Sequence, residues 1–257
     1  MDKIHILGVK IDQVSENQAV ELVSSWVKKG GKHYVVTPNV EFLMAAQKDP
    51  EFKKILNNAN LSVPDSARFN WAVHQISLTN YIKRLLFWPF FLYPKASFLG
   101  HFPTTTGTDL MEKLIAKLAE QAFTVGLLGG QKGVALKLAE RLKKTYPKLK
   151  IIYVSEGGEV DKDGNMAVDG LGVITADILF VAFGQVKQEK WIDKNLGKSK
   201  VKVMMGVGGA FDYLSGVVPR APLWMRGLGL EWLYRFLRQP WRIKRFINLV
   251  RFVFLMI

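Results

Sequence analysis

The sequence predicts an α/β fold in which helices cover both faces of a parallel sheet. Apolar runs bounded by turn residues alternate with helical patterns along most of the 257 residues, and this alternation is typical of parallel sheets. A hydrophobic content of 49% can fill the core of such a domain. The absence of cysteine excludes a disulfide framework, a thiolate nucleophile and an iron–sulfur cluster.

The individual elements follow from local patterns. Strands are expected at Ile4 to Val9 (a strand or hairpin arm), Tyr34 to Thr37, Leu61 to Val63, Thr124 to Leu128, Lys150 to Val154, Asp177 to Phe183 and Val201 to Val207. Helices are expected after the capping box of Ser15 and Gln18, after Asn39, and at Thr108 to Leu118, Val134 to Lys144, Gln188 to Leu196 and Ala210 to Leu214. The regular alternation stops between residues 66 and 106, where residues 78–98 resemble a basic, aromatic insertion. We therefore expect a Rossmann-like core over residues 1–219, followed by a helical appendage over 220–257 that closes over the ligand cleft of the core.

The formal net charge of +14 is concentrated in two segments. Residues 220–257 hold eight arginines and lysines against Glu231 alone, and residues 66–108 hold four with no acid. Both segments are also the richest in aromatic and aliphatic residues, whereas basic nucleic-acid surfaces carry polar neighbours. This combination favours an anionic membrane surface as a partner and disfavours nucleic acid.

The C-terminal segment predicts an amphipathic helix beginning after Pro240. One helical stripe contains Ile243, Phe246, Ile247, Val250, Val253, Phe254 and Ile257. Too few apolar residues follow one another to span a bilayer, so we expect the helix to lie in the membrane interface. The alternative is a terminal helix that packs on its own domain or on a subunit partner, and a homo-oligomer stays open. With no secretory signal at the N-terminus, we expect a peripheral protein on the cytoplasmic face.

Ligands of open parallel sheets bind beyond the carboxyl ends of the strands. Polar and glycine-rich residues cluster at five such ends, namely Thr37 and Asn39, Asp65, Gly129 and Gly130, Gln188 and Glu189, and the run from Gly206 through Gly208 to Asp212. The glycine turns precede helices, so their amides are candidates for binding phosphate or a nucleoside, although a tight structural turn explains them equally well. Asp65 is a candidate general base, or alternatively a cap for the segment after Pro64.

No convincing metal site is expected. Asp161-Lys162-Asp163 resembles the D-x-D motif by which many sugar transferases hold a metal, but Gly164 and Asn165 follow at once, which favours a turn. The four histidines are widely separated and lack ligand spacing. We therefore expect neither a metal nor another cofactor.

Several motifs in this order resemble the WecG/TagA/CpsF glycosyltransferases over nearly the whole chain. They are Thr37-Pro38-Asn39, Pro64-Asp65, Gly126-Leu-Leu-Gly-Gly130, the run from Val181 to Trp191, Gly206-Val-Gly-Gly209-Ala-Phe-Asp212, Arg220-Ala-Pro222, Trp224-Met225 and Leu230-Glu-Trp-Leu-Tyr-Arg235. The resemblance implies inverting, metal-independent transfer of a sugar, N-acetylmannosamine in the TagA branch, from a UDP donor. The implied acceptor is N-acetylglucosaminyl-diphospho-undecaprenol, an intermediate of bacterial cell-surface polymers.

The resemblance also implies roles for residues named above. Asp65 matches the proposed base, and Thr37 and Asn39 match cleft residues beside it. Gln188 and Glu189 match a donor-side pair. A further set matches arginines thought to hold a diphosphate: Arg235, Arg242 and Arg245.

The chain departs from the family pattern at three places. Ser66 follows Asp65 where the family commonly has glycine. Thr104 stands where the family has an arginine, and Val186 stands where the family usually has Gly-x-Pro. These changes leave two alternatives open: another donor, such as UDP-glucose or a UDP-uronic acid, or a catalytically lapsed membrane-bound protein that binds nucleotide sugars. A basic nucleotide- or nucleic-acid-binding domain is a third reading, which the aromatic content of the basic segments disfavours.

Overall fold

The structure is a computed structural model that describes residues 2–94, 101–166, 174–228, 230–238 and 243–257. Within these ranges the side chains of Trp232, Arg235 and residues 243–246 are not described. The eight strands are β1 (Lys3–Ile6), β2 (Val9–Asp12), β3 (His33–Val36), β4 (Leu61–Ser62), β5 (Thr124–Gly129), β6 (Lys150–Ser155), β7 (Ile178–Ala182) and β8 (Val203–Gly206).

Six of these strands form one sheet in the order β4-β3-β8-β7-β5-β6. Every neighbouring pair in that sheet is parallel, which confirms the predicted parallel sheet. β1 and β2 form a separate antiparallel hairpin. Leu7 (φ 50°) and Gly8 (φ 77°) connect its arms, and two successive left-handed residues are the geometry of a two-residue hairpin turn.

Twelve α-helices surround the sheet in the described residues. They are α1 (Glu16–Lys29), α2 (Val40–Ala46), α3 (Pro50–Asn58), α4 (Arg68–Ser77), α5 (Tyr81–Phe87), α6 (Gly107–Glu120), α7 (Val134–Thr145), α8 (Lys187–Asn195), α9 (Ala210–Leu214), α10 (Leu223–Gly227), α11 (Glu231–Arg238) and α12 (Ile243–Met256). Ser15 and Gln18 form the predicted capping box of α1. The Asn39 side chain caps α2 as predicted, accepting hydrogen bonds from the amides of Glu41 and Phe42.

The core lies on both faces of the sheet. On β3, the side chains of Tyr34 and Val36 join one buried cluster and that of Val35 joins the other, as the alternation of a strand requires. Helices therefore pack on both faces, which confirms the predicted fold class.

The segment that interrupts the predicted alternation contains helices in its described part before residue 95. α4 is followed by α5 and by a 3₁₀ turn over Trp88–Leu92. Trp71 of α4 is fully buried, and its ring lies 5.1 Å from that of Phe91. The inner face of this segment is thus part of the core.

α12 also packs on the core, through Phe252 and Met256. The Phe252 ring is fully buried, 6.1 Å from Trp71 and 6.2 Å from Phe91. Other side chains of the predicted apolar stripe remain exposed, among them Ile247 (49%) and Phe254 (76%). α12 therefore has one apolar face on the protein and another toward solvent. None of the helices in the described residues is long and apolar enough to cross a bilayer.

Candidate active site

A cleft of about 620 Å³ lies at the carboxyl end of the sheet, where the loops after β3, β4 and β8 converge. Its lining includes several predicted site residues, which are Thr37, Asn39, Asp65, Gln188, Gly208 and Asp212. The appendage supplies part of the wall through Leu223, Arg226, Glu231, Phe236 and Leu249. A volume of this size is within the range of small-molecule sites.

Asp65 is held in the cleft by its backbone. Its amide donates to the carbonyl of Pro38 over 2.8 Å, and the amide of Thr105 donates to the carbonyl of Pro64 over 2.9 Å. These bonds join the loop after β4 to the loop after β3 on one side and to the segment before α6 on the other. The half-buried Asp65 thus stands on a fixed backbone in the cleft wall.

Thr37 and Asn39 have structural contacts as well as a place in the lining. The Asn39 carboxamide oxygen caps α2, with distances of 2.9 and 3.2 Å to two amides. Thr37 is buried and packs on Gly107, where an added Cβ would lie 3.0 Å from its Oγ1. A Cβ at residue 107 would therefore require Thr37 to shift where the start of α6 approaches the end of β3.

A hydrogen-bonded chain joins α8 to the glycine-rich turn after β8. Gln188 Oε1 accepts from the amide of Gly208 over 3.0 Å, and Gln188 Nε2 donates to Glu189 Oε1 over 2.6 Å. Glu189 Oε2 accepts from the amide of Val186 over 2.7 Å. Val186 has φ 72°, which is strained for a β-branched residue. The network fixes Gln188 beside the cleft.

Burial sets the protonation of Glu189. Its side chain is fully buried, and this raises the pKa of Glu189 from 4.5 to about 7, although hydrogen bonds from Gln188 and Val186 act in the opposite direction. Glu189 is not among the residues lining the cleft. Its geometry is that of a residue that positions Gln188 through their direct hydrogen bond.

The predicted glycines differ in their surroundings. A Cβ on Gly206 would lie 2.6 Å from Glu189 Oε1, so the network requires glycine there. A Cβ on Gly129 would lie 2.6 Å from the carbonyl oxygen of Ala182, and one on Gly130 would lie 3.0 Å from the Phe211 ring. Neither of these two glycines lines the cleft. The alternative of a tight structural turn explains both, and their role in donor binding stays a prediction.

Arg68 is a cleft residue that the sequence analysis did not select. Its side chain is almost fully buried, lines the cleft and lies 5.1 Å above the Phe91 ring. Burial lowers the pKa of Arg68 to about 10, so the guanidinium is charged at neutral pH. A signal was available, because Arg68 stands three residues after Asp65 in a segment without acids.

An ion pair fixes the start of the appendage beside the cleft. Arg220 donates to both carboxylate oxygens of Asp109, over 2.7 and 3.2 Å, and Thr106 donates to Asp109 over 2.6 Å. Burial alone would raise the pKa of Asp109, but the hydrogen bonds from Arg220 and Thr106 outweigh it and hold that pKa below its usual range. Bidentate pairs of this kind are among the stronger polar contacts.

The predicted diphosphate arginines lie largely outside the described structure. This applies to Arg242 and to the side chains of Arg235 and Arg245. The D-x-D candidate forms a turn: Asp161 accepts from the amides of Asp163 and Asn165. Across the described ranges, no three carboxylates or histidines are grouped as metal ligands.

Comparisons with known proteins identify the family of the chain. A model of the glycosyl transferase WecG/TagA/CpsF family matches residues 4–85 and 95–257. The chain is 29% identical over 238 residues to the N-acetylglucosaminyldiphosphoundecaprenol N-acetyl-beta-D-mannosaminyltransferase of Bacillus subtilis (strain 168), covering 90% of this chain and 84% of that one. It is 27% identical to the enzyme of the same name from Staphylococcus aureus (strain MRSA252), covering 98% and 91%.

The chain therefore belongs to the WecG/TagA/CpsF family and is a glycosyltransferase. The resemblance drawn from the motifs is confirmed. The two matched stretches leave out residues 86–94, which lie inside the segment expected to be extra material.

Proposed function

We propose that the chain transfers N-acetylmannosamine from UDP-N-acetylmannosamine to N-acetylglucosaminyl-diphospho-undecaprenol. The single observation that carries this proposal is the joint placement of Asp65 and Arg68, a carboxylate and a buried cation that line the same cleft. The names of these relatives give the acceptor and the transferred sugar of their own reaction. The chain covers most of the length of each of these relatives, which supports carrying the reaction over.

In the proposed step, Asp65 accepts the proton of the attacking acceptor hydroxyl. The hydroxyl oxygen forms a bond to the anomeric carbon of the donor, and the bond from that carbon to the diphosphate breaks. UDP leaves with the electron pair, and the configuration at the anomeric carbon inverts. A carboxylate on a fixed backbone suits this role, since general-base catalysis depends on position as well as pKa.

Cationic groups offset the negative charge of the departing diphosphate. Arg68 lies in the cleft wall and is one candidate for this role. The other candidates for binding the diphosphate are those expected from the sequence, Arg235, Arg242 and Arg245. Forked guanidinium groups suit phosphate oxygens and stabilise charge as it develops. No metal is required in this scheme. In this proposal Gln188, which hydrogen-bonds to Gly208 and Glu189, orients the donor.

The appendage belongs to the same proposal. It lines the cleft through Phe236 and Leu249, while α12 exposes apolar side chains beside Arg251. A lipid-linked acceptor has to reach the cleft from a membrane, and basic apolar surfaces bind anionic membranes. We therefore propose a peripheral enzyme whose appendage contacts the cytoplasmic face of the membrane.

A panel assay tests the function. Purified enzyme is incubated with a short-chain lipid-diphosphate N-acetylglucosamine and, in separate reactions, with UDP-N-acetylmannosamine, UDP-N-acetylglucosamine, UDP-glucose and a UDP-uronic acid. Products are read by mass, and the anomeric configuration by NMR. We expect one N-acetylhexosamine to be added from the first donor with inversion, and the same rate in the presence of EDTA.

Two outcomes would contradict parts of the proposal. Transfer only from UDP-glucose or a uronic acid would keep the enzyme class and change the donor, an alternative favoured by the departures at Ser66 and Thr104, which both line the cleft. Activity lost in EDTA and restored by magnesium would contradict metal independence.

A further inference from the structure

The segment formed by residues 81–93, here called the α5 segment, has an inner face fixed on the core. Trp71 Nε1 donates to the carbonyl of Phe87 over 3.0 Å, and Gln75 Nε2 donates to the carbonyl of Arg84 over 3.2 Å. Phe91 is buried between the rings of α4 and α12. These bonds tie the segment to α4 along its length, so its outer face has a defined orientation.

That outer face is strongly apolar and exposed. The exposed large side chains on it are Tyr81 (64%), Ile82 (65%), Leu85 (48%), Leu86 (67%), Trp88 (45%), Leu92 (44%) and Tyr93 (68%). A monomeric protein in water rarely leaves so many adjacent large apolar groups uncovered, because an exposed apolar group does not contribute the free energy that its burial would give. Something of complementary character is expected to cover this face.

Charge and composition indicate what the occupant is. Lys83 is exposed within the face, and residues 66–108 contain no acid, so the surface is basic as well as apolar. Tyrosine and tryptophan beside aliphatic side chains and lysine are the composition of interfacial membrane segments. A second copy of this chain would bring the same positive surface against it and be repelled.

The location of the apolar face also supports a membrane as its partner. Phe91 of the α5 segment touches Phe252 of α12 from within, with their ring centres 6.2 Å apart. On the outside of α12, Ile247, Val250, Phe254 and Leu255 are exposed. α12 also contributes Leu249 to the cleft. The two exposed apolar faces thus belong to neighbouring elements, one of which borders the cleft.

We infer that the outer face of the α5 segment is a second membrane-docking surface, which binds anionic lipid beside α12. The inference goes beyond the proposed function, which gives membrane contact to the appendage alone. Lys83 would contact lipid phosphates while Ile82, Leu86 and Trp88 enter the headgroup boundary. Two separate contacts would fix the orientation of the cleft above the bilayer, which one helix cannot do.

The test compares variants of the full chain. Ile82→Ser with Leu86→Ser removes two exposed apolar groups and leaves Phe87 and Phe91 in place. The control is Leu136→Ser with Ile152→Ser, since these side chains are also exposed (58% and 49%) but belong to α7 and to β6, the strand at the opposite edge of the sheet from β4. Binding is measured by sedimentation with vesicles of phosphatidylcholine, alone or mixed with phosphatidylglycerol.

We expect the α5 variant to partition onto the mixed vesicles roughly tenfold more weakly than wild type, because two apolar side chains no longer enter the lipid. The control pair should bind like wild type. Lys83→Gln should reduce the preference for mixed over neutral vesicles. Equal binding of wild type and the α5 variant, with both folded by circular dichroism, would overturn the inference. So would a wild-type dimer in lipid-free buffer that the α5 variant converts to a monomer, since a second copy would then cover the face.

Turnover of a short-chain, water-soluble acceptor separates this inference from the proposed function. The α5 variant should process that acceptor at the wild-type rate and lose rate only on acceptor embedded in vesicles. A lower rate on the soluble acceptor would place these side chains in the catalytic machinery and contradict the inference. Absence of transfer by wild type itself would contradict the proposed function while leaving the vesicle result valid.

Discussion

The backbone amide of Asp65 donates a hydrogen bond to the carbonyl of Pro38 over 2.8 Å. This bond ties the loop after β4 to the loop after β3, and it brings Asp65 into the same cleft as Thr37 and Asn39. The position of the candidate base therefore depends on contact between two loops that follow neighbouring strands of the sheet. Substitutions of residues near Asp65 should therefore have local effects on turnover and stability that can be measured one at a time.

Arg68→Gln should weaken transfer by about ten- to a hundredfold in kcat/KM, because hydrogen bonds to a charged group contribute about 1.5–3 kcal/mol. Arg68→Lys should recover part of the loss by restoring the charge without the fork. The measurement is steady-state kinetics with a water-soluble acceptor. Arg141→Gln, a change of the same type on the exposed surface of α7, is the control. Equal kcat/KM for wild type and Arg68→Gln would remove Arg68 from the site.

Gly206→Ala should disturb the donor side of the cleft. The added Cβ would lie 2.6 Å from Glu189 Oε1 and 2.8 Å from Gln188 Nε2, so the network must shift. We expect a loss of stability of about 1–3 kcal/mol and roughly tenfold lower kcat/KM, since small misplacements reduce rates strongly. Gly197→Ala is the matched control, because nothing lies within 4 Å of its added Cβ. Similar behaviour of the two variants would show that the network has no part in activity.

Glu189 predicts a pH dependence of stability. Burial raises the pKa of Glu189 from 4.5 to about 7. Between these values the native state keeps a proton that the unfolded state has released, so the free energy of unfolding falls as pH rises. One pKa unit corresponds to about 1.4 kcal/mol, which makes the total loss about 3 kcal/mol.

The measurement is urea unfolding of wild type and Glu189→Gln across that window. In Glu189→Gln the free energy of unfolding should fall less with rising pH than in wild type, because this side chain no longer titrates. The variant also loses one carboxylate acceptor for the amide of Val186. Glu140→Gln, the same change on the exposed surface of α7, is the control. Curves of equal slope for wild type and Glu189→Gln would mean that Glu189 is already ionised below neutral pH.

Two phenylalanines of α12 test how the appendage packs. Phe252 is fully buried against Trp71 and Phe91, whereas Phe254 is 76% exposed. Phe252→Ala should lower the free energy of unfolding by about 3–5 kcal/mol, and Phe254→Ala should change it by less than about 0.5 kcal/mol. Urea titration without lipid measures both. Equal, small effects would show that α12 is not docked on the core in solution.

Local signals predicted the six strands of the sheet and the starts of α1 and α2. The capping box of Ser15 and Gln18 and the Asn39 cap are complete within four residues, so the sequence alone identifies them. The face of α12 that meets the core was not predictable in the same way. That helix is apolar almost all round, and the rings that bury Phe252 are those of Trp71 and Phe91, far away along the chain.

The sequence predicted only part of the candidate site, because some of its residues share a local pattern and others meet only through tertiary packing. Chemistry at strand ends identified Asp65, Thr37, Asn39, Gln188, Gly208 and Asp212, and the structure brings all six to one cleft. Arg68 was missed although it stands three residues after Asp65, because its burial beside Phe91 depends on tertiary packing. Gly129 and Gly130 were predicted to bind the donor, but neither lines the cleft. A glycine turn that lets two strands approach has the same local sequence as one that binds phosphate, so the sequence alone does not distinguish the two.

The most direct test of the central claim is the turnover of Asp65→Asn with UDP-N-acetylmannosamine and the soluble diphosphate acceptor. The amide is nearly isosteric but cannot accept the proton, so we expect transfer to fall by about 100- to 10,000-fold while UDP binding, measured by calorimetry, stays unchanged. Asp163→Asn, in the exposed turn after β6, should transfer at the wild-type rate. If Asp65→Asn kept more than roughly a third of wild-type turnover, well above what the loss of a general base allows, Asp65 would not be the base and the account of the cleft would be contradicted.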